Sequence, residues 1–193
     1  MSSSGTPRSP ERTRRAILDA AARQMAQHGL AVSLSKIAAA AGVSKGGLLH
    51  HFPSREDLIR ALGKDCIEML RTEVQGFVDL SENRPGKMLR AYVRALCGGS
   101  RAAMVYFADS TNWFSLVDIP EIRQTIAENA RWWEEQLLAD GLAVERVQLV
   151  RRAAEGVAAA HMCGEADDGE VGRLRDLLLA LTEQSVPLPF PAS

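Results

Sequence analysis

Ser33-Leu-Ser-Lys-Ile37-Ala-Ala-Ala-Ala41-Gly42-Val-Ser44-Lys45-Gly-Gly-Leu-Leu-His-His51-Phe-Pro53-Ser-Arg55-Glu-Asp57 is the stretch on which the fold turns. Ser33 is an N-cap, and Leu34, Ile37, Ala38 and Ala41 follow at helical spacing, which predicts one short helix. Gly42-Val43 breaks it, and Ser44 caps a second helix of barely two turns, Lys45 to His51. Phe52-Pro53 closes that one, because the residue before proline is pushed out of the helical region. Two short helices joined by Ala41-Gly42-Val43-Ser44 make a helix-turn-helix pattern.

Outward from this element the chain reads as helix almost throughout. Upstream, Ile17, Leu18, Ala21, Ala22 and Met25 form one face of a helix over 10–28 that Gly29 stops. Downstream, Ser54-Arg-Glu-Asp57 has capping-box spacing and opens a long helix to about Leu80. Five more follow over 86–97, 101–112, 119–139, 144–163 and 169–184. Period-2 strand patterns rich in Val, Ile and Thr do not extend beyond a few residues. The expectation is an all-α, nine-helix, two-domain chain. A flexible tail covers 1–9, a helix-turn-helix domain 10–56, a larger helical domain 57–184 and a Pro-rich tail 185–193.

With 193 residues, 46% hydrophobic and 24% charged, the composition is that of a soluble globular protein. No apolar run reaches the ~18 residues of a membrane span, and the first ten residues lack a signal-peptide core, so a cytoplasmic location without membrane partners is expected. Cys66, Cys97 and Cys163 are scattered and odd in number, which fits a reducing compartment and no disulfide framework. The formal net charge of −1 hides a segregation. Met1 to Lys64 carries ten basic and four acidic side chains; the rest carries thirteen and twenty. A basic first third on an acidic body points one end at a polyanion.

The third predicted helix has the chemistry for it. A helix fits the major groove of duplex DNA with its first turn toward the base edges, where Lys45 can donate to guanine or phosphate. Gly46 and Gly47 each cost about 1 kcal/mol relative to alanine inside a helix, and close approach of backbone N–H groups to a phosphate is a reason for them. His50 and His51 are further donors, and Arg55 is placed for a phosphate. The run from Ile37 to Leu58 closely resembles the signature of the tetracycline-repressor (TetR) family of bacterial transcription regulators. That resemblance covers about Arg12 to Leu62. It implies a homodimer whose first three helices bind a palindromic operator and whose body encloses a small-molecule pocket. It places Ser33, Ser44, Lys45, Gly46, Gly47, Leu49, His50, His51 and Arg55 at the DNA. Two residues depart from the family pattern: Gly47 stands where Thr is common and Leu49 where Tyr is common. Both lose a hydroxyl, and Leu49 could instead meet a thymine methyl.

In the body, Val147, Val150, Ala154, Val157, Ala158 and His161 line one side of the eighth predicted helix, with Ala153, Gly156 and Ala160 beside them. Val171, Leu174, Leu177, Leu178 and Leu181 line the ninth. Such faces usually pack inside one subunit, but the resemblance implies a dimer through these last two helices. Aromatic and methionine side chains gather in the middle, and a pocket for an apolar, planar effector would draw on Met69, Tyr92, Met104, Phe107, Trp113, Asn129, Trp133 and His161. Trp133 points inward with Ile122, Ile126, Ala130 and Leu137, and Trp132 is partly exposed. A ligand that favours one tilt of the fourth helix would weaken DNA binding by linkage. The alternative is a metal- or redox-responsive regulator using His161, Cys163, Glu165, Asp167 and Asp168, too few soft ligands for a closed site. An enzyme is disfavoured, since no His-x-x-x-His spacing, phosphate loop or nucleophile elbow is present, and no metal or cofactor is implied.

Overall fold

Helix boundaries follow from who satisfies the terminal backbone groups. A computed structural model describes residues 9–29, 31–98 and 120–188. Among these it contains eight helices and no strand: α1 (Pro10–His28), α2 (Leu34–Ala41), α3 (Lys45–His51), α4 (Arg55–Gly76), α5 (Lys87–Leu96), α6 (Pro120–Leu138), α7 (Val144–Met162) and α8 (Asp168–Leu181). The expected helix over 101–112 lies outside the described residues. The chain divides into two compact units, one ending at Asp65 and the other starting at Cys66.

In the first unit the serine caps stand where their spacing predicts. Ser9 Oγ accepts from Arg12 N (3.3 Å), Ser33 Oγ from Lys36 N (3.2 Å) and Ser44 Oγ from Gly47 N (3.0 Å). Gly42 closes α2 in the left-handed region (φ 69°, ψ 34°), where an L side chain is strained. Val43 N donates to Ala38 O (3.0 Å) and Gly42 N to Ala39 O (3.1 Å), the paired bonds of a Schellman stop. Helix α1 packs on α2, and α2 on α3. Ile17, Leu18, Ala21, Met25, Ile37, Ala38, Leu48 and Phe52 are buried. At the start of α4, Ser54 Oγ accepts from Asp57 N (3.0 Å) and donates to Asp57 Oδ2 (2.7 Å), a bond that holds the Asp57 carboxyl below its usual range.

Helix α4 ends four residues before the expected Leu80. Gly76 is a weak helix former, and the next amides turn tighter, Phe77 N to Val74 O and Val78 N to Gln75 O. The apolar residues that continued the helical spacing find no core: Phe77 is 40% exposed and Leu80 85%.

The second unit is built around Leu70, Val74, Leu89, Tyr92, Val93, Trp133, Leu137, Val147, Val150, Ala154, Ala158, Val171 and Leu178. Helix α5 packs against α6, α7 and α8, and α7 against α6 and α8. The α5 N-terminus has no capping side chain of its own; Asp140, after α6, accepts from Met88 N instead. Helix α8 stops at Leu181, short of the expected 184. Arg146 Nη1 donates to the carbonyls of Leu181 (2.5 Å) and Glu183 (2.9 Å), and Nη2 to that of Val186 (2.7 Å), so carbonyls at and beyond the helix end are satisfied from α7. One expected surface is revised: Val147, Val150, Ala154 and Ala158, read as part of a dimer stripe, are buried within this chain's own core.

Candidate nucleic-acid interface and ligand cluster

Helix α3 is anchored from below and open above. Leu48 is fully buried and fixes the helix, while Ser44, Lys45, Gly46 and His50 are exposed and Gly47, Leu49 and His51 are half-buried. A hydroxyl carries two lone pairs and one proton, so Ser33 and Ser44, which use a lone pair in capping, keep O–H donors for a phosphate. A Cβ on Gly46 would meet nothing nearer than Ser44 Oγ at 3.9 Å, so that backbone is open to an approaching polyanion. A Cβ on Gly47 would lie 3.3 Å from Ser44 Oγ, crowding the cap itself. A larger residue at position 47 therefore needs the Ser44 side chain to give by a few tenths of an ångström. The His50 and His51 rings pack edge to face at 5.6 Å.

Arg55 faces inward more than its sequence position implied. Its Nη1 donates to Val32 O (2.7 Å), bracing the start of α4 to the residue before the Ser33 cap, and its Nη2 is buried without a hydrogen-bond partner among the described residues. Arg14 lies 5.1 Å from the Phe52 ring centroid and covers the residue that ends α3.

In the second unit the structure brings some of the expected pocket residues together. Tyr92 and Trp133 are in edge-to-face contact at 4.7 Å, and Asn129, one turn before Trp133 on α6, is 4% exposed. Met69 is half-buried on α4. His161 lies at the end of α7, where its Nε2 is 3.0 Å from Asp168 Oδ1. Met104, Phe107 and Trp113 lie outside the described residues. Arginines missing from the sequence reading complete the cluster. Arg71 Nη2 donates to Asn129 Oδ1 (2.9 Å), and its guanidinium carbon sits 3.9 Å from the Trp132 ring centroid. Arg151 Nε donates to Glu155 Oε1 (2.9 Å), which also accepts from Tyr92 Oη (3.0 Å). Nothing in the local pattern separates Arg71 from a surface arginine, because it sits beside the buried Leu70 rather than in the apolar stripe.

Residues 17–62 match the model of bacterial regulatory proteins of the tetR family, and residues 86–183, about half the chain, match a tetracyclin repressor-like C-terminal domain. The chain belongs to the tetR family. The HTH-type transcriptional repressor LfrR of Mycolicibacterium smegmatis is 45% identical over 65 residues, 34% of each chain. The HTH-type transcriptional repressor KstR2 of the same organism is 26% identical over 144 residues, 72% of this chain and 69% of that one. A transcriptional regulator from Rhodococcus sp. Rha1 shares the fold, with a TM-score of 0.73 at 20% identity over 93% of this chain and 100% of that one. LfrR itself has been solved in complex with proflavine and superposes with a TM-score of 0.58 at 23% identity, over 92% and 95% of the two chains. As a tetR-family member this protein is a DNA-binding transcription regulator, not an enzyme.

For a tetR-family chain, the metal- or redox-responsive alternative gains no support from the geometry. Among the described residues no three His, Cys, Asp or Glu side chains are grouped to hold an ion. Burial pushes the Cys97 thiol up to about 11, which keeps it protonated and unreactive near neutral pH. No described helix is long and apolar enough to cross a membrane.

Proposed function

We propose that this regulator is a cytoplasmic repressor that binds a palindromic operator as a homodimer and leaves it when a small molecule binds the second unit. Residues 10–56 would form the DNA-binding domain and 57–184 the effector and dimer domain. The observation that carries the reading is the exposure of Lys45, Gly46 and His50 on a short helix locked from behind by Leu48. Ser33, Ser44, Gly47, Leu49, His51 and Arg55 border the same surface in this proposal. The dimer face is moved to the side of α7 and α8 that the chain's own core leaves uncovered. Leu149 is 42% exposed, Gly156 follows it at i+7 and is exposed, and Leu177 on α8 is 56% exposed, while Ala153 and Ala160 flank them and pack partly on the core. A Cβ on Gly156 would meet nothing within 4 Å, so a partner helix can approach closely there.

Tyr92, Asn129 and Trp133, with Met69 beside Leu70 on α4, are the effector residues of this proposal. Met104, Phe107 and Trp113 stay in this proposal on sequence grounds alone, and His161, held by Asp168, leaves it. Helix α4 runs from Arg55 in one unit to Gly76 in the other, and a ligand that prefers one of its placements would weaken operator binding by the same factor by which the operator weakens the ligand's. Selection of bound duplexes from a random DNA pool tests the reading. The expected product is an inverted repeat with half-sites about one helical turn apart. A pool that yields no enriched sequence, or a single unrepeated half-site, would overturn it.

A further inference from the structure

We infer that the effector is an anion, a compound whose carboxylate is held by Arg71 and Trp133, an inference that rests on the effector reading above. Among the described residues the guanidinium of Arg71 touches two neutral groups, the Asn129 carboxamide oxygen (2.9 Å) and the face of Trp132 (3.9 Å), and neither cancels its charge. Its Nε is buried with no hydrogen-bond acceptor among these residues. Trp133 is 2% exposed, and its Nε1 is likewise buried with no acceptor among the described residues. Both side chains contact one ring, since Trp133 and Trp132 form a T-shaped pair with centroids 4.8 Å apart while Arg71 lies over the Trp132 face. The carboxylate of Glu155, which reaches this cluster through Tyr92, is committed to Arg151 (2.9 Å) and Arg152 (2.8 Å).

A buried N–H without an acceptor is costly, and two beside one ring are a place an acceptor belongs. A carboxylate offers two oxygens and about four lone-pair sites, enough for both donors, and its charge complements the planar guanidinium. Neither donor is open to solvent, so the acceptor reaches them by displacing a side chain packed over them.

The test uses the full chain and a panel of aromatic and aliphatic carboxylates, each paired with its neutral carboxamide, followed by calorimetry and quenching of tryptophan fluorescence. At least one carboxylate binds about ten- to a hundredfold more tightly than its carboxamide. Arg71→Gln removes that preference. Arg71→Lys, which keeps the charge and loses the fork, retains part of it, and Trp133→Phe, which keeps a packed ring and loses the N–H, weakens the carboxylate several-fold. Carboxamides that bind as well as carboxylates, a panel with no carboxylate bound, or a preference that survives Arg71→Gln would overturn the inference. Anisotropy of a labelled selected duplex separates the two levels. Release by neutral compounds alone refutes the anion site and keeps the effector reading; Arg71-dependent carboxylate binding without release keeps the site and refutes the effector role.

Discussion

Arg90→Met lowers the unfolding free energy by about 3 kcal/mol, the low end of what breaking a buried charge pair costs. Arg90 is 2% exposed. Its Nη1 donates to Thr182 Oγ1 (3.2 Å), its Nη2 to Pro85 O (2.8 Å), and its Nε lies 2.9 Å from Glu82 Oε1 as an ion pair rather than a well-aligned hydrogen bond. One side chain thus ties the turn before α5 to the end of α8. Gly86 closes the space above it: at φ +89° a Cβ there would stand 2.6 Å from Leu142 Cδ1 and 2.9 Å from Arg90 Nη1. Methionine fills much of the volume, but Glu82 is left with only the exposed Arg84 (2.5 Å), and Thr182 loses a donor. For a chain of this size the midpoint of thermal unfolding falls by about 6–12 °C. Glu82→Leu in the same chain restores most of the loss, since no charge is then left unpaired. Burial pushes the Glu82 carboxyl up, and its contacts with Arg84 and Arg90 more than reverse that, so it sits below its ordinary range. A lowered folded value contributes stability above the unfolded pKa that is lost as pH falls through the folded one. The acid limb of the stability profile is therefore shallower in Arg90→Met. A loss below about 1 kcal/mol in denaturant titration would show that the carbonyl contacts alone hold this junction.

Lys45→Glu abolishes operator binding while leaving the fold intact or slightly firmer. Lys45 is exposed at the first position of α3, where the helix dipole favours negative charge. A lysine there opposes its own helix, so folding gives no reason for it and a polyanion does. Lys45→Ala removes one contact per half-site, worth about 1–3 kcal/mol each, and lowers the slope of log affinity against log salt by about 1 per half-site if the partner is phosphate. If the partner is a guanine edge, the loss is confined to duplexes carrying that guanine. Unchanged affinity in Lys45→Glu, measured by anisotropy on the selected duplex, would remove α3 from the interface.

How much of this the chain announces depends on where each residue's partners lie in sequence. The helix-turn-helix is local: Ser33 and Ser44 bond amides three residues on, and Gly42 takes the left-handed turn that ends α2. Its caps and stop are therefore visible in the spacing. The end of α4 is less so, because Phe77 and Leu80 keep the helical period beyond Gly76 and yet stay exposed. Arg90, Arg146 and Arg151 are hidden for the opposite reason. An arginine reads as surface, yet each is at most 7% exposed, and Arg90 and Arg146 find partners more than thirty residues away. Arg71, half-buried beside Trp132, likewise finds its partner Asn129 58 residues on. His161, read from its helix face as a pocket residue, has its nearest charged partner in Asp168, seven residues on at a helix corner.

Methylation interference on the selected duplex tests the central claim most directly, because guanine N7 lies in the major groove and adenine N3 in the minor. If α3 enters the major groove from two symmetric protomers, N7 methylation blocks binding in two patches about one helical turn apart and N3 methylation between them is tolerated. Interference from N3 alone, or a single patch at N7, would contradict it.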